Sequence, residues 1–168
     1  MKPALLIIDI QNRFFTRNGV TAESLNNAAE YINAAIALFR ERHLPIIAVQ
    51  HKNEATGLVP GVPEFDIPES IKLEVSDINI IKTYGDAFNK TILAAQLHSL
   101  DIDSVIITGF CAEFCINATC IGAENNDFVP IVLKGALASG HPERIALIEE
   151  INDIISLGAL KAALKPAE

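Results

Sequence analysis

The stretch that decides the fold is SVIITGFCAEFCINATC, residues 104–120. Its first part, SVIITG (104–109), is a continuous apolar run closed by glycine, the pattern of a strand covered on both faces. Just past it, Ala118, Gly122 and Ala123 place small side chains where a helix could pack closely on a sheet. A buried strand running into a helix is the building unit of a parallel sheet. The rest of the chain repeats it.

Working outward, ALLIID (4–9), PIIAVQH (45–51), INIIK (78–82) and FVPIVL (128–133) read as further buried strands. Between them, Leu25, Ala29, Ile32, Ile36 and Phe39 form one apolar stripe of a helix over Thr21–Arg42, with Thr21 and Ser24 as N-cap oxygens and Pro45 as its stop. Phe88, Ile92, Leu93, Ala95, Leu97 and Leu100 mark a second helix. Ile145, Ile148, Ile151 and Ile155 mark the last one. The tail GALKAAL (158–164) is expected to hold a strand near 159–162. The pattern predicts one α/β domain over residues 1–168, a three-layer αβα sandwich with a mostly parallel, doubly wound sheet of about six strands. Residues 52–77 carry Gly57, Pro60, Gly61, Pro63 and Pro68 without a sustained period. A loop this long in a compact domain is expected to serve a site.

Thirteen Lys and Arg stand against 21 Asp and Glu, a formal charge of -8. With no Trp and two Tyr, this argues against nucleic acid or an anionic membrane as partner. The apolar runs are far shorter than the roughly 18 residues of a membrane span. The start, MKPALLIIDIQ, meets Asp9 too early for a secretory leader. Three clustered cysteines read as reduced thiols of a cytoplasmic protein.

In doubly wound sheets, ligands sit at the carboxyl ends of the strands. Asp9 ends the first strand, Lys82 ends the third, and Cys115 lies just past the fourth, at the start of a helix. An acid, a cation and a thiol on one sheet edge are the parts of a nucleophilic site. A helix N-terminus and a nearby ammonium would both favour the thiolate. Each residue alone has a plainer reading: a turn-capping Asp, a solvated Lys, a small packing Cys. Local sequence leaves both readings open. The spacing C-x3-C-x4-C does not match the paired hooks of structural zinc sites, and no His lies nearby. Cys115 and Cys120, five apart, would point in different directions on a helix, which speaks against a disulfide. No phosphate-cradling glycine loop is present.

Three segments carry a resemblance. LLIIDIQNRF (5–14), KTYGDAFNKTIL (82–93) and VIITGFCAEFCINATC (105–120) are similar, in order and spacing, to motifs of the isochorismatase-like cysteine hydrolase superfamily, which includes nicotinamidases and N-carbamoylsarcosine amidohydrolases. The resemblance implies a triad of Cys115, Asp9 and Lys82. It also implies a cis peptide between Phe110 and Cys111 that aims the backbone N–H groups of Cys111 and Cys115 at a developing oxyanion. By position, Gln11, Phe15, His51, Tyr84 and Phe88 are expected as substrate-contacting walls, while Glu113 and Phe114 flank the nucleophile.

The implied activity is cofactor-free hydrolysis of a C–N bond in a small amide or ureido metabolite through a thioester, by a homo-oligomer. The alternatives are vinyl-ether hydrolysis of the isochorismatase type, which does not need the nucleophile, and a non-catalytic protein that keeps the fold. Metal-binding nicotinamidases carry Asp-x-His near the end of the second strand. This chain has Gln50, His51, Lys52 and Asn53 there, and no His again until His98, so no metal is expected. After the fifth strand, where relatives often carry Asp-Ala, the chain reads Lys134-Gly135-Ala136.

Overall fold

A computed structural model describes residues 1–164. The last four residues of the expected 1–168 domain lie outside the described residues. Six strands, β1 (Pro3–Ile8), β2 (Ile46–His51), β3 (Ile78–Lys82), β4 (Ser104–Phe110), β5 (Val129–Ala138) and β6 (Ile154–Ile155), form one sheet in the order β3-β2-β1-β4-β5-β6. Every pairing is parallel. The order reverses between β1 and β4, so the crevice between their carboxyl ends is the switch point where such folds place ligands.

The continuous apolar runs are explained by cover on both sides. Leu5 and Ile7 face one layer with Ile106 and Leu133, while Ala4, Leu6 and Ile8 face the other with Ile47, Val49 and Val105. The first layer is closed by α2 (Gly19–Glu41) and α6 (Leu157–Ala163), through Leu25, Ile32, Ile36, Phe39 and Leu160. The second is closed by α3 (Leu93–Ser99), α4 (Asn117–Asn125) and α5 (Ile145–Ile151), through Leu93, Leu97, Cys120, Ala123 and Ile148. A short helix, α1 (Asn12–Phe15), follows β1.

Several boundaries differ from the sequence reading. The long helix begins at Gly19, because Asn18 rather than Thr21 caps it: Asn18 Oδ1 accepts from the Thr21 amide at 2.8 Å. The second helix spans only Leu93–Ser99, so Phe88 lies in the turn before it, stacked on Phe128 at 5.7 Å. Gly122 admits the carboxylate of Asp86, which a Cβ would overlap, rather than the sheet. The tail forms α6 and not a strand. Ser156 Oγ accepts from the Ala159 amide at 3.2 Å, and the good helix formers after it bury Leu160. The sixth strand falls instead on Ile154–Ile155, just where the isoleucine spacing reads as a continuing helix.

The segment Lys134-Gly135-Ala136 gains a physical account. It lies inside β5, where the register with β4 slips between Ile107 and Gly109. Gly135 sits at φ 85°, a left-handed conformation that suits glycine, and a Cβ there would press on the Tyr31 ring. The irregularity carries β5 on to Ala138 and delivers Ser139 to the site edge.

Candidate active site

Asp9, Lys82 and Cys115, 106 positions apart at their extremes in the sequence, meet at the switch point. Asp9 directly follows β1 in a left-handed conformation (φ 53°), which a short polar residue tolerates better than most. Its amide still donates to Val49 O at 2.8 Å, so the turn is tied to β2. Opposite it, Gly109 of β4 has φ 120°, and a Cβ there would overlap Ile8 O. Only a residue without a side chain lets β1 and β4 approach this closely beside Asp9.

Lys82 ends β3, and its side chain reaches inward until none of it is exposed. The ammonium lies 2.8 Å from Asp9 Oδ2, 3.0 Å from Tyr84 O, 3.2 Å from His51 Nδ1 and 3.5 Å from Cys115 Sγ. A buried ammonium so surrounded is a fixed positive charge. Because it approaches Nδ1, that nitrogen serves as the acceptor, leaving the His51 proton on Nε2. Burial and the Lys82 charge both hold the His51 pKa below its ordinary value.

Cys115 lies in a π-helical turn, Ala112–Ile116, leading into α4. The expectation of a lowered thiol pKa is not what this setting gives. Burial first, and the Asp9 carboxylate second, push the Cys115 thiol up to about 12, against the opposing pull of Lys82. Burial likewise raises the Asp9 pKa despite the ammonium beside it. The resting site therefore holds a protonated thiol next to a carboxylate of enhanced basicity, and Asp9 Oδ1 is buried without a hydrogen-bond partner.

The Phe110–Cys111 peptide is cis. Among the described residues, the Cys111 N–H donates to no carbonyl or side chain, and Cys111 lines the same cavity as Cys115. The Cys111 thiol has its own partners: Glu113 Oε2 at 3.1 Å and Ser139 Oγ at 3.6 Å. Ser139 Oγ donates to Glu113 Oε2 at 2.7 Å and accepts from the His141 amide at 2.9 Å, while Arg144 holds Glu113 Oε1 at 3.1 Å. Burial and the Glu113 carboxylate push this thiol up to about 11.

A cavity of about 960 Å³ opens above these groups, the size of a small-molecule site. Its walls include Asp9, Arg13, Phe14, Arg17, His51, Thr56, Leu58, Cys111, Glu113, Phe114, Cys115, His141 and Arg144. The loop 52–77 contributes Asn53, Thr56 and Leu58, as its length leads one to expect.

Of the five residues expected to contact substrate, the structure brings His51 to the cavity and places the other four elsewhere. Gln11 is fully buried and works as a clamp. Its Nε2 donates to Phe65 O at 2.9 Å and His51 O at 3.1 Å, and its Oε1 accepts from the His51 amide at 2.8 Å. Phe15 packs on the core beneath α2, and Phe88 is buried against the other layer. Tyr84 is exposed, with its hydroxyl accepting from Lys90 Nζ at 3.0 Å, and it offers the site only its carbonyl. Sequence reasoning missed Arg13, Arg17, His141 and Arg144. The only signal was a run of basic residues, R-x-x-x-R in QNRFFTRNG, straight after a strand-end acid in an acidic chain.

The donor set does not suit a metal. His51 Nδ1 is engaged by an ammonium, and among the described residues no three His, Cys, Asp or Glu side chains come together to hold one. No helix among the described residues is long and apolar enough to cross a membrane.

The isochorismatase domain model matches residues 3–149, and the chain belongs to that family of hydrolases. An uncharacterized isochorismatase-family protein of Bacillus subtilis is 30% identical over 145 residues, covering 82% of this chain and 74% of its own. The maleamate amidohydrolase of Pseudomonas putida is 26% identical over 159 residues, covering 84% and 75%. A probable inactive nicotinamidase of Arabidopsis thaliana is 24% identical, covering 83% and 82%. Among solved structures, the N-carbamoylsarcosine amidase of Thermoplasma acidophilum superposes with a TM-score of 0.81 at 22% identity, covering 94% of this chain and 97% of that one, a likeness of fold.

Proposed function

We propose that the protein hydrolyses a C–N bond in a small amide or ureido compound, with Cys115 as nucleophile, Asp9 as general base and acid, and Lys82 as the fixed cation between them. The observation that carries the reading is the buried Lys82 ammonium within 2.8 Å of Asp9 Oδ2 and 3.5 Å of Cys115 Sγ.

Substrate binding brings a carbonyl carbon to Cys115. Asp9 takes the thiol proton as sulfur attacks, and Lys82 offsets the negative charge in the pocket throughout. The carbonyl oxygen becomes an oxyanion against the backbone N–H groups of Cys111 and Cys115. Collapse breaks the C–N bond, and Asp9 gives its proton to the departing nitrogen, leaving a thioester. Water then attacks the thioester carbonyl as Asp9 takes its proton. The acid product leaves, and the thiol recovers that proton. The raised thiol pKa fits a nucleophile ionised only as it reacts, since Asp9 is a better base in its buried site than a solvated carboxylate.

The same reading has the protein act without cofactor, as a single-domain homo-oligomer in a cytoplasm. It is supported by three free thiols and by exposed Ile92, Phe114 and Ile121. A non-catalytic reading is supported by the relative named as probably inactive. The deciding experiment is a screen of small amides and ureido acids for ammonia release, with Cys115→Ala as control. Release that depends on Cys115 supports the proposal. Release that survives Cys115→Ala sinks it.

A further inference from the structure

The carboxylate of Glu113 is the meeting point of three chain segments. Glu113 sits inside the π-helical turn, two residues past Cys111 and two before Cys115. Its Oε2 accepts from Ser139 Oγ at 2.7 Å and from the Cys111 thiol at 3.1 Å, and its Oε1 accepts from Arg144 Nη1 at 3.1 Å. Ser139 follows β5, and Arg144 closes the short turn Pro142–Arg144 ahead of α5. The clasp is anchored further out. The Ser139 amide donates to Ser24 Oγ of α2 at 3.1 Å, and Ser139 Oγ accepts from the His141 amide at 2.9 Å. One side chain therefore ties the turn that bears Cys115 to β5, to the start of α5 and, through Ser139, to α2.

The convergence is tighter than that of a solvated ion pair. The Glu113 side chain is 12% exposed, and burial pushes its pKa upward. The bonds from Ser139, its own amide, Cys111 and Arg144 outweigh burial and hold it below the ordinary carboxylate range. A carboxylate bonded on both oxygens to charged and hydroxyl donors has few directions left in which to turn. The turn it stiffens carries both N–H groups assigned to the oxyanion, and the Cys111 N–H donates to no carbonyl or side chain among the described residues. A π-helical turn departs from the regular α-helical ladder, so ties from outside it add to what its own backbone supplies.

We infer that Glu113 is a positioning residue of the active site, holding the backbone N–H groups of Cys111 and Cys115 where they receive the oxyanion. This rests on the C–N hydrolase reading above. Glu113 acts through the turn and carries no proton in the reaction.

The first test reads ammonia release from the amide that the screen identifies. Glu113→Ala is expected to lower kcat about 30- to 100-fold with KM within about threefold of wild type, the pattern of a displaced group that acts in the transition state. Glu113→Gln keeps the side-chain shape and one acceptor oxygen, and is expected to recover all but a few-fold of the loss. Ser139→Ala removes one donor, is expected to cost about 10-fold in kcat, and answers even where Glu113→Ala fails to fold. A lower melting temperature with kcat unmoved makes the clasp structural alone and overturns the inference.

A second arm needs no turnover. Acetaldehyde adds to a thiol: the S–C bond forms as the C=O π bond breaks, the sulfur proton passes to Asp9, and the oxygen carries its charge against the same two N–H groups. Protection of Cys115 from iodoacetamide at mildly alkaline pH, read by mass spectrometry of the Cys115 peptide, measures this adduct. The acetaldehyde concentration that protects is expected to rise in Glu113→Ala by about the factor lost in kcat, while labelling without aldehyde stays within about threefold. That result supports the positioning role even where no amide releases ammonia, an outcome that removes the hydrolase reading alone. Equal protection of wild type and Glu113→Ala removes the positioning role and leaves the hydrolase reading standing. A wild type that acetaldehyde does not protect overturns the inference outright.

Discussion

Two thiol–carboxylate–cation sets border the cavity, one of them with its cation buried beneath the wall. Cys115, Asp9 and Lys82 form one; Cys111, Glu113 and Arg144 form the other. Both thiols are pushed up, to about 12 and about 11, by burial first and a carboxylate second. The sets differ in where the cation stands. The Lys82 side chain is 0% exposed and touches both sulfur and carboxylate, whereas Arg144 is 46% exposed and touches only the carboxylate. A thiolate formed at Cys115 would face an unscreened positive charge. One formed at Cys111 would face a carboxylate with the cation on its far side and water nearby. The same three kinds of group, thiol, carboxylate and cation, make the proposed reactive site in one case and a structural clasp in the other, according to burial and order.

The largest test of this contrast is a pair of thiol deletions. Cys115→Ala should lower kcat/KM for the responsive amide on the order of 10⁴-fold with an unchanged circular dichroism spectrum, and Cys111→Ala by less than about 10-fold. Comparable losses from both would erase the distinction. Next come the cations. Lys82→Met leaves the Asp9 carboxylate buried without a cation and should reduce unfolding free energy by about 3–5 kcal/mol in urea titration. Arg144→Met removes a partly solvated pair, and the same titration should register less than about 1 kcal/mol.

Alkali sharpens the comparison further. In the folded protein the Cys115 and Cys120 thiols ionise near about 12 and Cys111 near about 11, against 9.0 for an ordinary thiol. The unfolded chain therefore releases these protons first as pH rises. The stabilisation from neutral thiols is complete below about pH 9 and is lost as pH climbs toward those folded values. The urea midpoint should fall across this range, less steeply in Cys111→Ser. For the same reason iodoacetamide should label Cys115 slowly near neutral pH, at a rate that climbs with alkali. Rapid neutral labelling would show that Lys82 outweighs burial. The smallest effect expected is that of Glu113→Gln. It keeps the shape of the clasp but gives up its charge, and should shift kcat/KM by only a few-fold.

The layered fold was legible because β1, β2 and β4 are covered on both faces and so read as unbroken apolar runs, while the edge strand β3 is exposed at Asn79 and Ile81. The meeting of Asp9, Lys82 and Cys115 was legible through sheet topology: the first two close strands, Cys115 lies just past β4, and the switch point brings them to one edge. What was hidden depends on contacts without local period. Gln11 looks like a pocket residue from its place beside Asp9, yet its amide is consumed by the backbones of His51 and Phe65. The two-residue strand β6 is too short to show alternation, and the Ser156 cap that starts α6 is a single side chain. Arg13 and Arg144 enter the cavity from opposite ends of the chain, and no spacing rule connects them.

The sheet order has a consequence for how the molecule can be taken apart. Everything up to α3 supplies β3, β2 and β1, with Asp9, Lys82 and Arg13; everything after it supplies β4, β5 and β6, with Cys115 and Glu113. The two halves meet along the β1–β4 seam, where Thr108 Oγ1 donates to Leu6 O at 2.9 Å, and where α2 lies over β5. The exposed turn at Asp101 between them is a natural place to cut. Neither fragment owns a complete set of reacting groups, so hydrolysis restored on mixing them would report reassembly of the seam itself. On the proposed mechanism the molecule is in this sense its own complementation assay, with the proposed nucleophile Cys115 on one piece and its proposed proton carrier Asp9 on the other.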